Sequence, residues 1–163
     1  MSALTRISID AARAPVYHVP DASSTLDVAA RLLADTATPT PHLTTVIADS
    51  QSAGRGRLGR SWITPPGQAL LASTIVSLPA SLPTEALGWI LHACALAVRD
   101  ALSERLTDLG HTVTLKWPND VLVDEERKIC GMLAQLTPAS TPFTTCVILG
   151  YGINIAQDRK SVV

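Results

Sequence analysis

A chain of 163 residues, 47% of them hydrophobic and 17% charged, is one domain's worth of sequence, long enough to bury a core and too apolar to be disordered. Its formal net charge of -1 and pI of about 6.4 argue against a general polyanion binder, which is basic overall. Three widely spaced cysteines without a CxxC pair argue against a disulfide framework or a structural zinc site, and they suit a reducing compartment. Arg6, Asp10 and Arg13 stand where a signal peptide needs an apolar run, and no stretch is long and apolar enough for a bilayer, so a cytoplasmic protein is expected.

Residues 1–22 read as a lead with strand character from Val16 to Val19. Ser23, Ser24 and Thr25 offer hydroxyl caps to a helix from Leu26 to Ala34, whose Leu26, Ala29, Ala30 and Leu33 share a face. Capping alone is one account of Ser24 and Thr25. After a Thr- and Pro-rich loop, Leu43 to Ala48 is apolar and β-branched and predicts a buried strand. That strand delivers Asp49-Ser-Gln-Ser-Ala-Gly-Arg-Gly-Arg-Leu-Gly-Arg-Ser-Trp62, which packs Gly54, Gly56 and Gly59 between Arg55, Arg57 and Arg60. Glycines let backbone approach a ligand and guanidinium forks match carboxylate or phosphate oxygens, so a small anionic ligand is expected here.

The loop also spells GxGxxG, and a Walker A pattern with Arg60 in the lysine position. Both motifs need a helix to open directly after the glycines, and Trp62-Ile-Thr-Pro-Pro-Gly67 cannot open one. A kinase loop is set aside because the chain has no HRD or DFG sequence. An RGG-like nucleic-acid segment stays as an alternative.

Downstream, Ala69 to Leu78 predicts a second core strand and Ala86 to Leu106 a long helix carrying Leu87, Ile90, Leu91, Cys94, Val98, Ala101, Leu102 and Leu106 at helical spacing. His92 and Cys94 read as packing or surface residues. Val113 to Leu115 is a short strand leading into Lys116-Trp-Pro-Asn-Asp120, and a hairpin follows: Val121 to Val123, a charged turn at 124–127, and Lys128 to Leu136 returning. Residues 137–142 predict a loop and Thr144 to Leu149 a strand. Gly150-Tyr-Gly-Ile-Asn154 predicts a glycine-bracketed turn, with Asn154 offering both a donor and an acceptor to a purine edge. There is no internal repeat and no linker to a second domain.

These pieces together resemble the biotin protein ligase family. Gly54-Arg-Gly-Arg-Leu-Gly-Arg-Ser-Trp62 is similar to its GRGRxGRxW signature, Lys116 to Asp120 to KWPND, Lys128-Ile-Cys-Gly-Met-Leu133 to its K-[LIV]-x-G-[IM]-L motif, and Gly150 to Asn154 to GxGxN, in the family's order. The resemblance implies an α+β fold, a mixed sheet flanked by helices as in class II synthetase-like ligases; the helices are expected on one side of the sheet. It implies an enzyme that joins biotin to ATP as biotinyl-5'-AMP and passes the acyl group to a lysine of a biotin carboxyl carrier protein of an acetyl-CoA or other acyl-CoA carboxylase.

Carried over by match, Ser24, Thr25, Leu26, Gln51, Gly54, Arg55, Gly56, Arg57, Lys128 and Gly131 line the biotin site. Arg55, Arg57, Arg60, Trp62, Lys116, Asn119, Asp120, Lys128, Gly152 and Asn154 meet ATP or the adenylate. Arg57, Lys116 and Lys128 carry the catalysis, and Asp120 is a candidate for holding Mg²⁺. Neither nucleic acid nor membrane is an expected partner, while a homodimer is.

Residues 23–157 are expected to form a catalytic domain cut short at its C-terminus. With few residues before Ser23 and a chain that stops at Val163, neither a helix-turn-helix nor an SH3-like domain is expected in this sequence. Residues 158–163 back-translate to a sequence resembling a sequencing adapter, so a non-native tail is expected there. A lipoate or octanoate ligase or transferase on the same fold, and a non-catalytic biotin- or nucleotide-binding fragment, are the alternatives.

Overall fold

The computed structural model describes residues 3–9, 12–137 and 144–156. Within them the chain forms β1 (Thr5–Ile7), β2 (Val16–Ala22), α1 (Thr25–Ala34), β3 (Thr45–Gln51), β4 (Gly54–Arg55), β5 (Ser61–Trp62), β6 (Ala69–Pro79), α2 (Thr84–Leu106), β7 (Val113–Lys116), β8 (Asp120–Val123), β9 (Arg127–Thr137) and β10 (Thr144–Asn154). Eight of the strands make one sheet in the order β1-β2-β3-β6-β10-β9-β8-β7, and β4 and β5 pair as a separate small hairpin. β2 and β3 run parallel and the other pairs antiparallel, with α1 as the crossover between the parallel pair, so the sheet is mixed.

The stretch expected to be a lead contributes β1 and β2 to this sheet. The helices do not lie on one side. Alternation along β10 sends Cys146 and Ile148 into the cluster under α1, with Leu26, Ala29, Leu32, Val46 and Ile75, while Val147 and Leu149 meet Ile90, Leu91 and Cys94 of α2 on the other face. A sheet whose central strands are apolar on both faces needs a cover on each, and one helix goes to each. α2 ends through a 3-10 turn, Thr107–Leu109, at Gly110, whose φ of 82° is the left-handed conformation a helix stop favours.

The expected glycine-bracketed turn at 150–154 is instead the second half of a continuous strand: Gly150 and Gly152 pair with Ser73 and Leu71 on one side and with Leu133 and Gly131 on the other. Glycine serves there for want of a side chain, because a Cβ on Gly150 would press on Leu26 of α1 at 2.9 Å. The loop expected at 137–142 falls almost wholly outside the described residues, as does the tail at 158–163.

Candidate functional site

One cavity of about 330 Å³ opens where the N-terminus of α1, the end of β3, the β4–β5 hairpin and the β9–β10 surface converge. Its first wall is neutral and polar. Ser24 and Thr25 are 1% and 3% exposed, and Ser24, in the N-cap position, makes no side-chain cap hydrogen bond, so capping does not account for it. The Thr25 backbone N–H and hydroxyl both donate to Gln51 Oε1, at 2.7 and 3.0 Å.

The floor is a pair of glycines. Gly131 and Gly152 face one another across β9 and β10, and the Trp62 indole lies over both; a Cβ on Gly152 would stand 2.6 Å from its ring, and one on Gly131 2.8 Å. Trp62 reaches this place because β4 and β5 pair Gly54 with Trp62 so closely that a Cβ on Gly54 would collide with the Trp62 carbonyl. The loop returns as a hairpin through a 3-10 turn, Arg57–Gly59, so no helix faces the cavity from it, as a Rossmann or P-loop site would require. Trp62 Nε1 is buried and meets no hydrogen-bond partner among the described residues.

Two cations, Lys128 and Arg57, stand at the other wall. Lys128 Nζ pairs with Asp120 at 2.8 Å and stands 5.5 Å from the Trp62 ring centre. Arg57 donates to Asn119 Oδ1 at 3.1 Å, and Asn119 is itself fixed by donating to the Met132 carbonyl at 2.8 Å. Arg55 pairs with Asp27 of α1 at 2.6 Å, an exposed contact of small net value, and Arg60 also lines the cavity. The strand order puts two strands between β3, with Gln51, and β9, with Lys128. Three strand spacings of roughly 4.8 Å then set the neutral and cationic walls about 14 Å apart.

Lys128 and Gly131 share the cavity because of a β-bulge. Val121 pairs with Cys130 but Leu122 with Lys128, which leaves Ile129 as the extra residue. Ile129 and Cys130 both turn toward α2, so the residues on either side of them face the cavity. Burial pushes the Cys130 thiol up to about 12 and the Cys94 thiol up to about 11. Both should stay protonated and resist a thiolate-selective reagent at pH 8 until the chain is unfolded; rapid labelling of either in the native protein would contradict this burial.

Of the residues expected in the site, Ser24, Thr25, Leu26, Gln51, Arg55, Gly56, Arg57, Arg60, Trp62, Asn119, Asp120, Lys128, Gly131 and Gly152 line the cavity. Gly54, Lys116 and Asn154 do not. Gly54 acts through the hairpin's close approach. Lys116, exposed at the end of β7, sits opposite Asp120 in the ladder and shares its face of the sheet, but on the edge strand it lies one strand farther out, beyond the cavity lining. Asn154 holds the Lys128 carbonyl through Nδ2 at 3.1 Å and leaves Oδ1 buried and unpartnered, so one amide hydrogen is already engaged.

Gly150, read as a place where backbone approaches a ligand, also lines the cavity; sequence reasoning missed Leu58, Ser61, Leu71, Met132, Leu133 and Tyr151 of the lining, and Ser73 behind it. Ser73 adjoins the neutral wall, donating to Thr25 Oγ1 at 2.8 Å. Its signal is a lone hydroxyl between Leu71 and Ile75 on the buried face of β6.

Residues 23–154 match the model of the biotin/lipoate A/B protein ligase family. The chain is 37% identical over 117 residues to a biotin–[acetyl-CoA-carboxylase] ligase of Mycobacterium tuberculosis, covering 72% of this chain and 41% of that protein. It is 38% identical over 120 residues to the bifunctional ligase/repressor BirA of Escherichia coli, covering 72% and 35%. Among solved structures it is similar to a biotin protein ligase of Leishmania major in complex with biotinyl-5-AMP, with a TM-score of 0.69, 30% identity and coverage of 89% of this chain and 59% of that one. A biotin protein ligase of Aquifex aeolicus in complex with biotin and ATP gives a TM-score of 0.63 at 27% identity, covering 91% and 54%. The chain thus spans well under half the length of these two curated relatives.

Proposed function

The chain belongs to the biotin/lipoate A/B protein ligase family, and from that premise we propose that it carries the catalytic part of an ATP-dependent biotin–protein ligase. The observation that carries this reading is the division of one cavity into a neutral hydrogen-bonding wall, at Thr25 and Gln51, and a cationic wall, at Lys128 and Arg57, with two strands between β3 and β9. That division suits a ligand with a neutral cyclic urea at one end and a carboxylate at the other.

In the first step a biotin carboxylate oxygen attacks the α-phosphorus of ATP, the bond to the β-phosphate oxygen breaks, and pyrophosphate leaves. Two anions must meet, so cations that neutralise both and hold them in line supply most of the acceleration. Lys128 and Arg57 serve here. Asp120 and Asn119 keep these two side chains extended over the cavity at 2.8 and 3.1 Å. In the second step a carrier lysine amine attacks the mixed anhydride, gives up a proton, and AMP departs. Trp62 is assigned to the adenine, and Asn154, which stands behind the cavity lining, to holding the Lys128 backbone through its carbonyl.

Magnesium at a nucleotide takes one or two carboxylates together with phosphate oxygens and waters. Asp120 offers one carboxylate, already paired with Lys128, and no group of three or more His, Cys, Asp or Glu side chains stands ready for a metal among the described residues. These residues fit an ion held mainly by the nucleotide, with Asp120 as its protein contact, where it would screen phosphate charge.

Transfer to a carrier protein of an acyl-CoA carboxylase, a cytoplasmic setting and a homodimer belong to the same proposal. No helix among the described residues is long and apolar enough to cross a membrane. β8 pairs with β9 only as far as Gly131 and Asn119 takes up the backbone of Met132, so residues 133–137 offer one edge that a second copy would fit.

The test is pyrophosphate release from ATP with biotin, lipoate or octanoate. Release with biotin alone is expected. Release with lipoate or octanoate in its place would move the assignment to those acids, and none with any of the three would leave a binding fragment.

A further inference from the structure

Three hydrogen bonds behind the neutral wall have only one consistent direction. The Thr25 backbone N–H can only donate, so the atom of Gln51 that it meets at 2.7 Å is the carbonyl oxygen Oε1. That oxygen can only accept, so the Thr25 hydroxyl, 3.0 Å away, spends its hydrogen on it. The same hydroxyl must then accept from Ser73, whose Oγ stands 2.8 Å from Thr25 Oγ1. Ser73 is fully buried in β6, between Val46 of β3 and Gly150 of β10, so no water competes for this bond.

What the relay leaves for a ligand follows from counting lone pairs and hydrogens. Gln51 Oε1 is saturated by two donors from Thr25, which turns Nε2 toward Gly54, where it meets no hydrogen-bond partner among the described residues. Thr25 Oγ1 has given its hydrogen away and retains one lone pair. The wall therefore presents an amide donor beside a hydroxyl acceptor.

We propose that Ser73 is a positioning residue that sets the polarity of this wall, so that Gln51 Nε2 and Thr25 Oγ1 together select a C=O next to an N–H, the edge of a cyclic urea. The idea rests on the biotin reading and goes beyond it in assigning a residue that does not touch the ligand. With Ser73 in place the Thr25 hydroxyl cannot turn its hydrogen into the cavity without abandoning two partners. Without Ser73 that rotation costs only the bond to Gln51, and the distinction between a urea N–H and a competing acceptor weakens.

Titration calorimetry with biotin, with dethiobiotin, which keeps the urea and lacks the thioether, and with ATP tests this on the parent chain, Ser73→Ala, Thr25→Val and the double variant. Loss of one buried neutral hydrogen bond corresponds to about a tenfold change in binding. Ser73→Ala should raise Kd about tenfold for biotin and for dethiobiotin alike, leave ATP unchanged, and add nothing in the Thr25→Val background, because both changes break one relay. Ser73→Cys, which keeps the volume and weakens the donor, carries the same test if Ser73→Ala does not fold. Equal weakening toward ATP, additive losses, or unchanged biotin binding overturn the relay while leaving the biotin reading intact. A parent chain that takes up neither urea overturns both.

Discussion

Replacing Lys128 by glutamine is expected to reduce biotin-dependent pyrophosphate release about 100- to 1,000-fold without unfolding the chain, the range typical of losing one preorganised stabilising contact to developing charge. Glutamine keeps most of the length and a hydrogen-bond donor but removes the charge that sits 2.8 Å from Asp120 and 5.5 Å from the Trp62 ring centre. Lys128 is 27% exposed, so its charge acts on the cavity with limited solvent screening. Single-turnover rates and biotin Kd separate the two ways it can act. A fall in rate with biotin binding nearly kept places the ammonium in the transition state, and a variant retaining more than a tenth of the parental rate would remove Lys128 from that role.

The second large effect is expected from Gly152→Val. Valine suits a strand, and position 152 pairs normally on both sides, so thermal stability should change little. A Cβ there would stand 2.6 Å from the Trp62 ring, and the indole must leave its floor. Displacing a group that shapes the nucleotide site by an ångström or more is expected to lower adenylate formation roughly 100-fold. The emission spectrum of Trp62, compared with a Trp62→Phe control, reports the displacement directly. A variant with normal activity and an unshifted indole would show that the glycine floor has nothing to do with ligand approach.

Much of this architecture was legible in the residues because local signals were strong. Thr25–Ala34 and Thr84–Leu106 carry apolar residues at helical spacing, and Ala69–Pro79 is a long apolar run between proline turns. The cavity lining was legible for another reason: glycines, arginines and paired hydroxyls in four short motifs are chemically conspicuous wherever they fall. What stayed hidden depended on which strand neighbours which. Ser73 is an ordinary residue until β3 and β10 close on it from either side. Gly150 and Gly152 looked like a turn because glycine permits one, and only the helix and indole pressing on them explain their presence in a strand. The faces taken by α1 and α2 were equally out of reach, since apolar residues at helical spacing pack on either side of a sheet.

The bulge at Ile129 has a bearing on how the motif itself is spaced. Lysine and glycine three positions apart share a face in a helix, whereas a regular strand puts them on opposite faces. β9 honours the spacing by letting Ile129 and Cys130 occupy one rung of the ladder. Counted in rungs, Lys128 and Gly131 are an even step apart, and Ile129 works as a shim. A one-residue deletion elsewhere in β9 would invert every side chain beyond it, yet removal of Ile129 or Cys130 would keep Lys128, Gly131 and Leu133 in phase. Length variation in this motif is thus tolerable within one rung and ruinous outside it, which is a rule for aligning or redesigning such strands that residue identities alone do not express.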